Sequence, residues 1–387
     1  MDNFNYHIPT DICFGKGQIS QLGKRMSPLA KKVLLVYGGG SIKKIGLYDQ
    51  IMQQLQQAGI TVFELAGIEP NPRIQTVKKG IAICKKEGID AVLAAGGGST
   101  IDCAKVVSAG ACYDGDAWDL VLDRNKIKKA IPIAAILTLA ATGSEMDGFA
   151  VISDMDKHEK WGTGNDLTKP VFSIMDPQYT FSVSKYQTAA GSSDIMSHTL
   201  ENYFNNTKGA FLQARLAEGI LKTVIKYAPV AVEHPDDYEA RANLMWASSL
   251  AINGLIRYGE STAWTVHPME HELSAFYDIT HGAGLALLTP YWMEYVLSEK
   301  TAGKFAEYGV NVWGIDSSKE PMAIAKEAIA KTREFFLSIG MPSHLKDLGI
   351  DETHFDVMSK KAANGGLRFG FVPLKKEDVK KIYTMAL

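Results

Sequence analysis

In the first half of the chain, short apolar runs alternate with amphipathic stretches. KKVLLVYGGG (31–40) is a β-branched run closed by glycines, and LYDQIMQQLQQAG after it repeats its apolar positions at helical intervals. TVFELAG, the helical RIQTVKKGIAICKKEG, the run DAVLAAGGGS (90–99) and the helical TIDCAKVVSAGA follow, and then the buried-type run KAIPIAAILTLAATGSE. Strand and helix in alternation predict a parallel sheet covered on both faces, an α/β domain.

From about residue 184 the pattern changes to long helical periods such as GAFLQARLAEGILKTVIKYAPVAVE and EARANLMWASSLAING. The change falls in MDPQYTFSVSKYQT (175–188), which predicts a sheet domain over 1–182 and an all-α domain over 183–387. No internal repeat or charged tail interrupts either half.

Composition narrows the class. A chain of 387 residues, 46% apolar and 22% charged, suits about two globular domains. Its net charge of −2 gives no basic field for nucleic acid. Cys13, Cys84, Cys103 and Cys112 are scattered without CxxC spacing, as expected of reduced thiols. The start, MDNFNYHIPT, lacks the features of a secretory signal, and AIPIAAILTLAA (130–141) is too short to span a bilayer. The expectation is a cytoplasmic protein without nucleic-acid or membrane partners.

Two GGGS tetrapeptides, Gly38–Ser41 and Gly96–Ser99, each close a predicted strand. Glycine lets backbone approach a phosphate, and a following helix presents unpaired N–H groups and its positive dipole end. A buried parallel strand also needs a tight glycine turn, so one loop alone decides little. Two loops, with Thr142-Gly143-Ser144 after a third strand, favour a nucleotide. The GxGxxG fingerprint is absent. Where NAD sites usually carry a carboxylate for the adenosine ribose, this chain has Gly38, Gly39 and Ser41 with Lys43 and Lys44 behind them. That combination predicts NADP(H), although two such lysines also suit a solvated helix face.

SSDIMSHTLENYF (192–204) carries Asp194 and His198 four positions apart, on one face of a helix and amid apolar residues. TVHPMEHELSAFYDITHGAG adds His267, His271 and His281. His267 and His281 lie about 21 Å apart along a straight helix, so they share a ligand only if the chain breaks, with Ser274–Thr280 the candidate. Asp194, His198, His267 and His281 together suit a divalent transition metal such as iron or zinc. One carboxylate leaves that site a formal charge of about +1. A buried polar network without an ion is the competing reading. His7, His158, His234, His344 and His354 read as structural or exposed.

These residues resemble the iron-containing, or group III, alcohol dehydrogenases, most strongly the NADPH-dependent butanol dehydrogenase and aldehyde reductase branch. The resemblance covers essentially the whole chain. It rests on YGGGS (37–41), EPNP (69–72), GGGSTIDCAK (96–105), TLAATGSE (138–145), DPQYT (176–180), DIMSHTLE (194–201) and HPMEHELSAFYDITHG (267–282).

The resemblance implies a dinucleotide-binding α/β domain followed by an all-helical, dehydroquinate synthase-like metal domain. It implies one divalent ion, iron first and zinc as the alternative, on Asp194, His198, His267 and His281. His271 takes the place of a non-ligating histidine, a candidate proton carrier. Gly97, Gly98 and Ser99 match the pyrophosphate loop. Asp102, Thr138, Thr142, Lys160 and Tyr179 match positions lining the nucleotide, and Asn71 lies toward the adenine end. Tyr179 stands where many relatives have leucine, and Leu285 or a neighbour replaces a usual asparagine.

The implied activity is NADP(H)-linked alcohol oxidation or aldehyde reduction on small substrates of the butanol/butanal type, by a homodimer joined through HIPTDICFGKG. Trp264, Phe276, Tyr277, Tyr291 and Trp292 favour a small, fairly apolar substrate. The rival readings are a zinc polyol dehydrogenase and a metal- and NAD-dependent cyclising lyase, which would need a cluster of lysines and arginines for its substrate.

Overall fold

The structure is a computed structural model describing residues 1–261 and 263–387. It divides into two compact units, His7–Val183 with Pro235–Ser249, and Met1–Tyr6 with Ser184–His234 and Leu250–Leu387.

The first unit is built on strands β1 (Asp11–Phe14), β2 (Lys32–Tyr37), β3 (Thr61–Ala66), β4 (Ala91–Gly96), β5 (Ile133–Leu137) and β8 (Phe172–Met175). They form one six-stranded sheet in the order β1–β8–β5–β4–β2–β3, all neighbours parallel. Every residue of β4 and β5 is buried, as the helix-covered faces of a parallel sheet require. Alternation along β2 decides which face each side chain joins. Leu34 and Val36 pack with Val77 and Val107, while Val33 and Leu35 pack with Leu47, Ile51 and Leu55.

From β2 the chain passes to β3 on one side and then returns to β4 on the other. The order therefore reverses between β2 and β4, and the carboxyl ends of those strands frame the crevice where open α/β sheets take ligands. Both GGGS loops begin there, at Gly38 and Gly96.

One feature of this unit interrupts the expected alternation. Between β5 and β8 the chain forms an antiparallel hairpin, β6 (Phe149–Asp154) and β7 (Glu159–Gly164), instead of a helix. Its turn holds His158 at φ 49°.

The second unit contains only helices among its described elements. Lys185–Tyr203 is buried on all sides from Thr188 onward. Its hydroxyls remain satisfied because Ser192, Ser193 and Thr199 each donate to the carbonyl four residues back, at 2.8, 2.9 and 2.8 Å. Val266–Tyr277 ends at Asp278, whose φ of 51° turns the chain before His281–Val296 begins. This break lies inside the window expected from sequence. The new helix lies against Lys185–Tyr203 so closely that a Cβ on Gly282 would sit 2.0 Å from the Ala190 carbonyl oxygen. Among the described residues no helix is long and apolar enough to cross a membrane.

Candidate functional site

Three helices of the second unit converge on Asp194. Its Oδ1 lies 3.4 Å from His198 Nε2, 3.7 Å from His267 Nε2 and 3.8 Å from His281 Nε2. Donor atoms of Asp194, His267 and His281 lie within 4.8 Å of one another, a spacing that could hold a metal ion, and His198 adds a fourth donor beside Asp194. Asp194, His198 and His267 are nearly inaccessible, whereas His281 is 22% exposed at its side chain.

Local sequence explains the convergence. Asp194 and His198 share a helix face, and the Asp278 turn carries His281 back to His267.

Polar atoms in this cluster lack protein partners. Asp194 Oδ1 and His267 Nε2 are buried without a hydrogen bond. Leaving such atoms unpaired is costly, and one cation among them would satisfy both. One oxygen and three imidazole nitrogens suit a borderline divalent ion such as iron or zinc. Burial pushes Asp194 upward, but His198, His267 and His281 around it hold its carboxyl well below the usual range. Burial also pushes His198 down, to about 3. For His267, burial is outweighed by the Asp194 carboxylate nearby and by the hydrogen-bonded Glu201, which raise it to about 9. The cluster is thus a negative well.

Behind the one carboxylate of the candidate ligand set stand two more that the sequence reading did not single out. Glu201 Oε1 accepts from the Nδ1–H of His267 at 2.7 Å and from its backbone N–H at 2.8 Å. Glu201 Oε2 accepts from the backbone N–H groups of Thr265 and Val266. Glu270 bonds His281 Nδ1 and accepts from Ser274 Oγ. Each carboxylate turns an imidazole Nε2 toward Asp194. With a dication the ensemble carries a net charge of about −1 rather than +1, which favours cation capture and moderates Lewis acidity. Spacing gave only part of the signal: Glu201 lies three positions after His198 and Glu270 three after His267, yet each bonds a histidine of another helix, His267 and His281 respectively.

His271 is half-buried beside the cluster, its ring centre 5.5 Å from that of His281 and 6.2 Å from that of His267. Of the aromatic residues singled out from sequence, Trp264 lies against the cluster, its ring centre 5.2 Å from that of His198 and 4.6 Å from that of His267. Trp292 packs on Phe204, Tyr291 donates to the Ser343 carbonyl, and Phe276 and Tyr277 lie against His354.

The remaining candidates lie in the first unit. Gly38, Gly39 and Ser41 follow β2, Asn71 follows β3, Gly97, Gly98 and Ser99 follow β4, Thr138 and Thr142 follow β5, and Tyr179 follows β8. Because these strands are parallel, all ten follow strand carboxyl ends on the same side of the sheet. Lys160 comes from β7 and Asp102 from the helix Gly98–Ala111. Gly98 must be glycine, because a Cβ there would lie 2.3 Å from Thr142 Oγ1. Asn71 is buried with φ 52°, a conformation that asparagine tolerates better than most residues. Lys43 and Lys44 are exposed, and Lys43 Nζ sits 5.2 Å from the Tyr37 ring centre and 4.6 Å from that of Tyr48. Both tyrosine hydroxyls donate to Glu64, at 2.6 and 2.8 Å.

The profile of iron-containing alcohol dehydrogenases matches residues 9–177, and that of the C-terminal part of the same family matches 188–387. NADH-dependent butanol dehydrogenase A of Clostridium acetobutylicum is 56% identical over 385 residues, 99% of each chain. The NADPH-dependent aldehyde reductase YqhD of Escherichia coli is 40% identical over 370 residues, 95% of this chain and 94% of that one. Among solved structures, NADH-dependent butanol dehydrogenase A of Thermotoga maritima superposes with a TM-score of 0.94 at 40% identity, covering 100% of this chain and 99% of the other.

Proposed function

The chain belongs to the iron-containing alcohol dehydrogenase family and is an alcohol oxidoreductase, and from that premise we propose a metal-dependent, NADP(H)-linked enzyme that interconverts small primary alcohols and aldehydes of the butanol/butanal type. Residues 1–182 form its nucleotide-binding domain and 183–387 its metal-binding domain, in a homodimer. The observation that carries this reading is the convergence of His198, His267 and His281 Nε2 on Asp194 Oδ1 at 3.4–3.8 Å.

Asp194, His198, His267 and His281 hold the ion, iron first and zinc as the alternative. A divalent cation there supplies Lewis-acid stabilisation to the substrate oxygen as it changes between carbonyl and alkoxide. The protein contributes the rest. Glu201 and Glu270 fix the tautomers of His267 and His281, so that neither ring must reorient during turnover. The first-unit loops hold the nucleotide, with its pyrophosphate on Gly97, Gly98 and Ser99 at a helix N-terminus. Gly38, Gly39 and Ser41 take the adenosine ribose, Asn71 the adenine end, and Thr138, Thr142, Lys160 and Tyr179 line the remainder. A bound nicotinamide would supply or accept the hydride, and a ring nitrogen of His271 would carry the proton to or from the substrate oxygen.

Support for the 2′-phosphate is the absence of a carboxylate at Gly38, with Ser41 and the Lys43 and Lys44 charges beside it. NADH is the second reading, favoured by the NADH-dependent butanol dehydrogenase that is 56% identical to this chain. A Glu64 carboxylate already engaged by Tyr37 and Tyr48 is consistent with either cofactor.

The test is oxidation of NADPH and NADH on butanal by protein of known metal content, before and after chelation. Metal-dependent turnover with a higher kcat/KM for NADPH is expected. Full activity after complete metal removal contradicts the metal role, and a higher kcat/KM for NADH contradicts the cofactor assignment.

A further inference from the structure

Lys105 lies in the second turn of the helix Gly98–Ala111 and has no exposed surface. Its Nζ donates to Ser144 Oγ at 2.8 Å, to Asp147 Oδ1 at 2.8 Å and to the Phe149 carbonyl at 2.7 Å. All three ammonium protons are thereby used. Three residues earlier, Asp102 accepts from Ser144 Oγ at 2.6 Å and from the Val151 backbone N–H at 2.9 Å. Ser144 also donates its backbone N–H to Thr142 Oγ1 at 3.2 Å, and Thr142 is the residue that touches Gly98. The irregular segment between β5 and β6 is therefore stitched, residue by residue, to the first two turns of this helix.

Fold stability alone accounts poorly for such a network. Buried ion pairs exchanged for well-packed apolar residues are often neutral or more stable. An apolar side chain, however, cannot hold three acceptors at fixed directions, nor offset Asp102 and Asp147 behind a helix end that receives phosphate. Without the ammonium, two carboxylates would stand uncompensated there, opposing an anionic ligand.

We infer that Lys105 is a positioning residue for the dinucleotide: it holds the Thr142–Phe149 segment against the helix whose N-terminus receives the pyrophosphate. This rests on the nucleotide site proposed above. Asp102 belongs to the same device, since both of its oxygens are engaged by protein groups.

The test is fluorescence titration of NADPH and NADH into wild type, Lys105→Met and Ser144→Ala, with steady-state kinetics and thermal unfolding on the same preparations. Lys105→Met is expected to raise the cofactor Kd and KM roughly tenfold or more, while kcat at saturating cofactor stays within about threefold. Ser144→Ala, which keeps the ammonium and both carboxylates, is expected to raise Kd less. A fall in melting temperature with unchanged cofactor Kd overturns the inference, and so does loss of kcat at unchanged KM. If Lys105→Met does not fold, Ser144→Ala decides, a raised Kd supporting the inference and an unchanged Kd overturning it. Failure of wild type to bind either nucleotide overturns the nucleotide site itself, and this inference with it.

Discussion

Glu201 grips His267 twice, through the ring Nδ1–H at 2.7 Å and the backbone N–H at 2.8 Å. A carboxylate that binds both ends of a residue fixes its rotamer and its tautomer together. Glu201→Gln keeps an acceptor but removes the charge. Metal affinity is expected to fall roughly 10–100-fold, read by competition with a chromogenic chelator. Equal retention by variant and wild type would show that the contact only packs the helix.

Removing a proposed ligand should separate chemistry from cofactor binding. Asp194→Ala or His267→Ala is expected to abolish turnover while NADPH still binds, because neither residue belongs to the unit that carries the glycine loops. Turnover assays beside nucleotide titrations check this. Near-normal turnover in either variant rules out the metal role.

Gly38→Asp tests the ribose loop with little steric confusion. A Cβ there meets only the Ile68 carbonyl oxygen at 3.5 Å and Thr100 Oγ1 at 4.0 Å. The new carboxylate would repel a 2′-phosphate and accept from a 2′-hydroxyl. The ratio of kcat/KM for NADPH to that for NADH should fall about tenfold or more, an interaction of one charged hydrogen bond. An unchanged ratio would place the ribose elsewhere.

Glu145 predicts a pH signature. The residue is fully buried, and burial raises its carboxyl to about 7 despite the Ser249 hydroxyl that donates to it. The folded protein then keeps a proton that the unfolded chain releases near its ordinary value of about 4.3. Stability from this group is therefore lost as pH rises from that value through about 7, and the loss is constant above it. Glu145→Gln should unfold at a higher temperature than wild type at pH 8 and show a smaller difference at pH 5. A wild-type minus variant difference that does not change with pH would contradict the assignment.

Much of this was legible in the chain because local periodicity and tertiary position agree. Asp194 and His198 announce a shared face by their spacing, and the Asp278 turn falls within the segment where a break was needed. Glu201 and Glu270 sit at equally telling offsets, yet a glutamate three positions from a histidine reads as a solvated pair until burial is known. Lys185–Tyr203 hides that burial, since a helix enclosed on all sides has no polar face to contrast with an apolar one. The β6–β7 hairpin was missed for a related reason, six-residue strands around a polar turn being a weak signal beside long helical runs. Aromatic content was only partly informative about position. It marked Trp264, which lies against His198 and His267, together with Trp292, which packs on Phe204.

The central claim is that one divalent cation sits among Asp194, His198, His267 and His281, and anomalous diffraction at a metal absorption edge tests it most directly. The account predicts a single peak about 2.0–2.2 Å from the Asp194 carboxylate and the three imidazole nitrogens, lost in crystals of Asp194→Ala. A metal-loaded enzyme whose peak lies outside this cluster, or survives that substitution at full height, would contradict it.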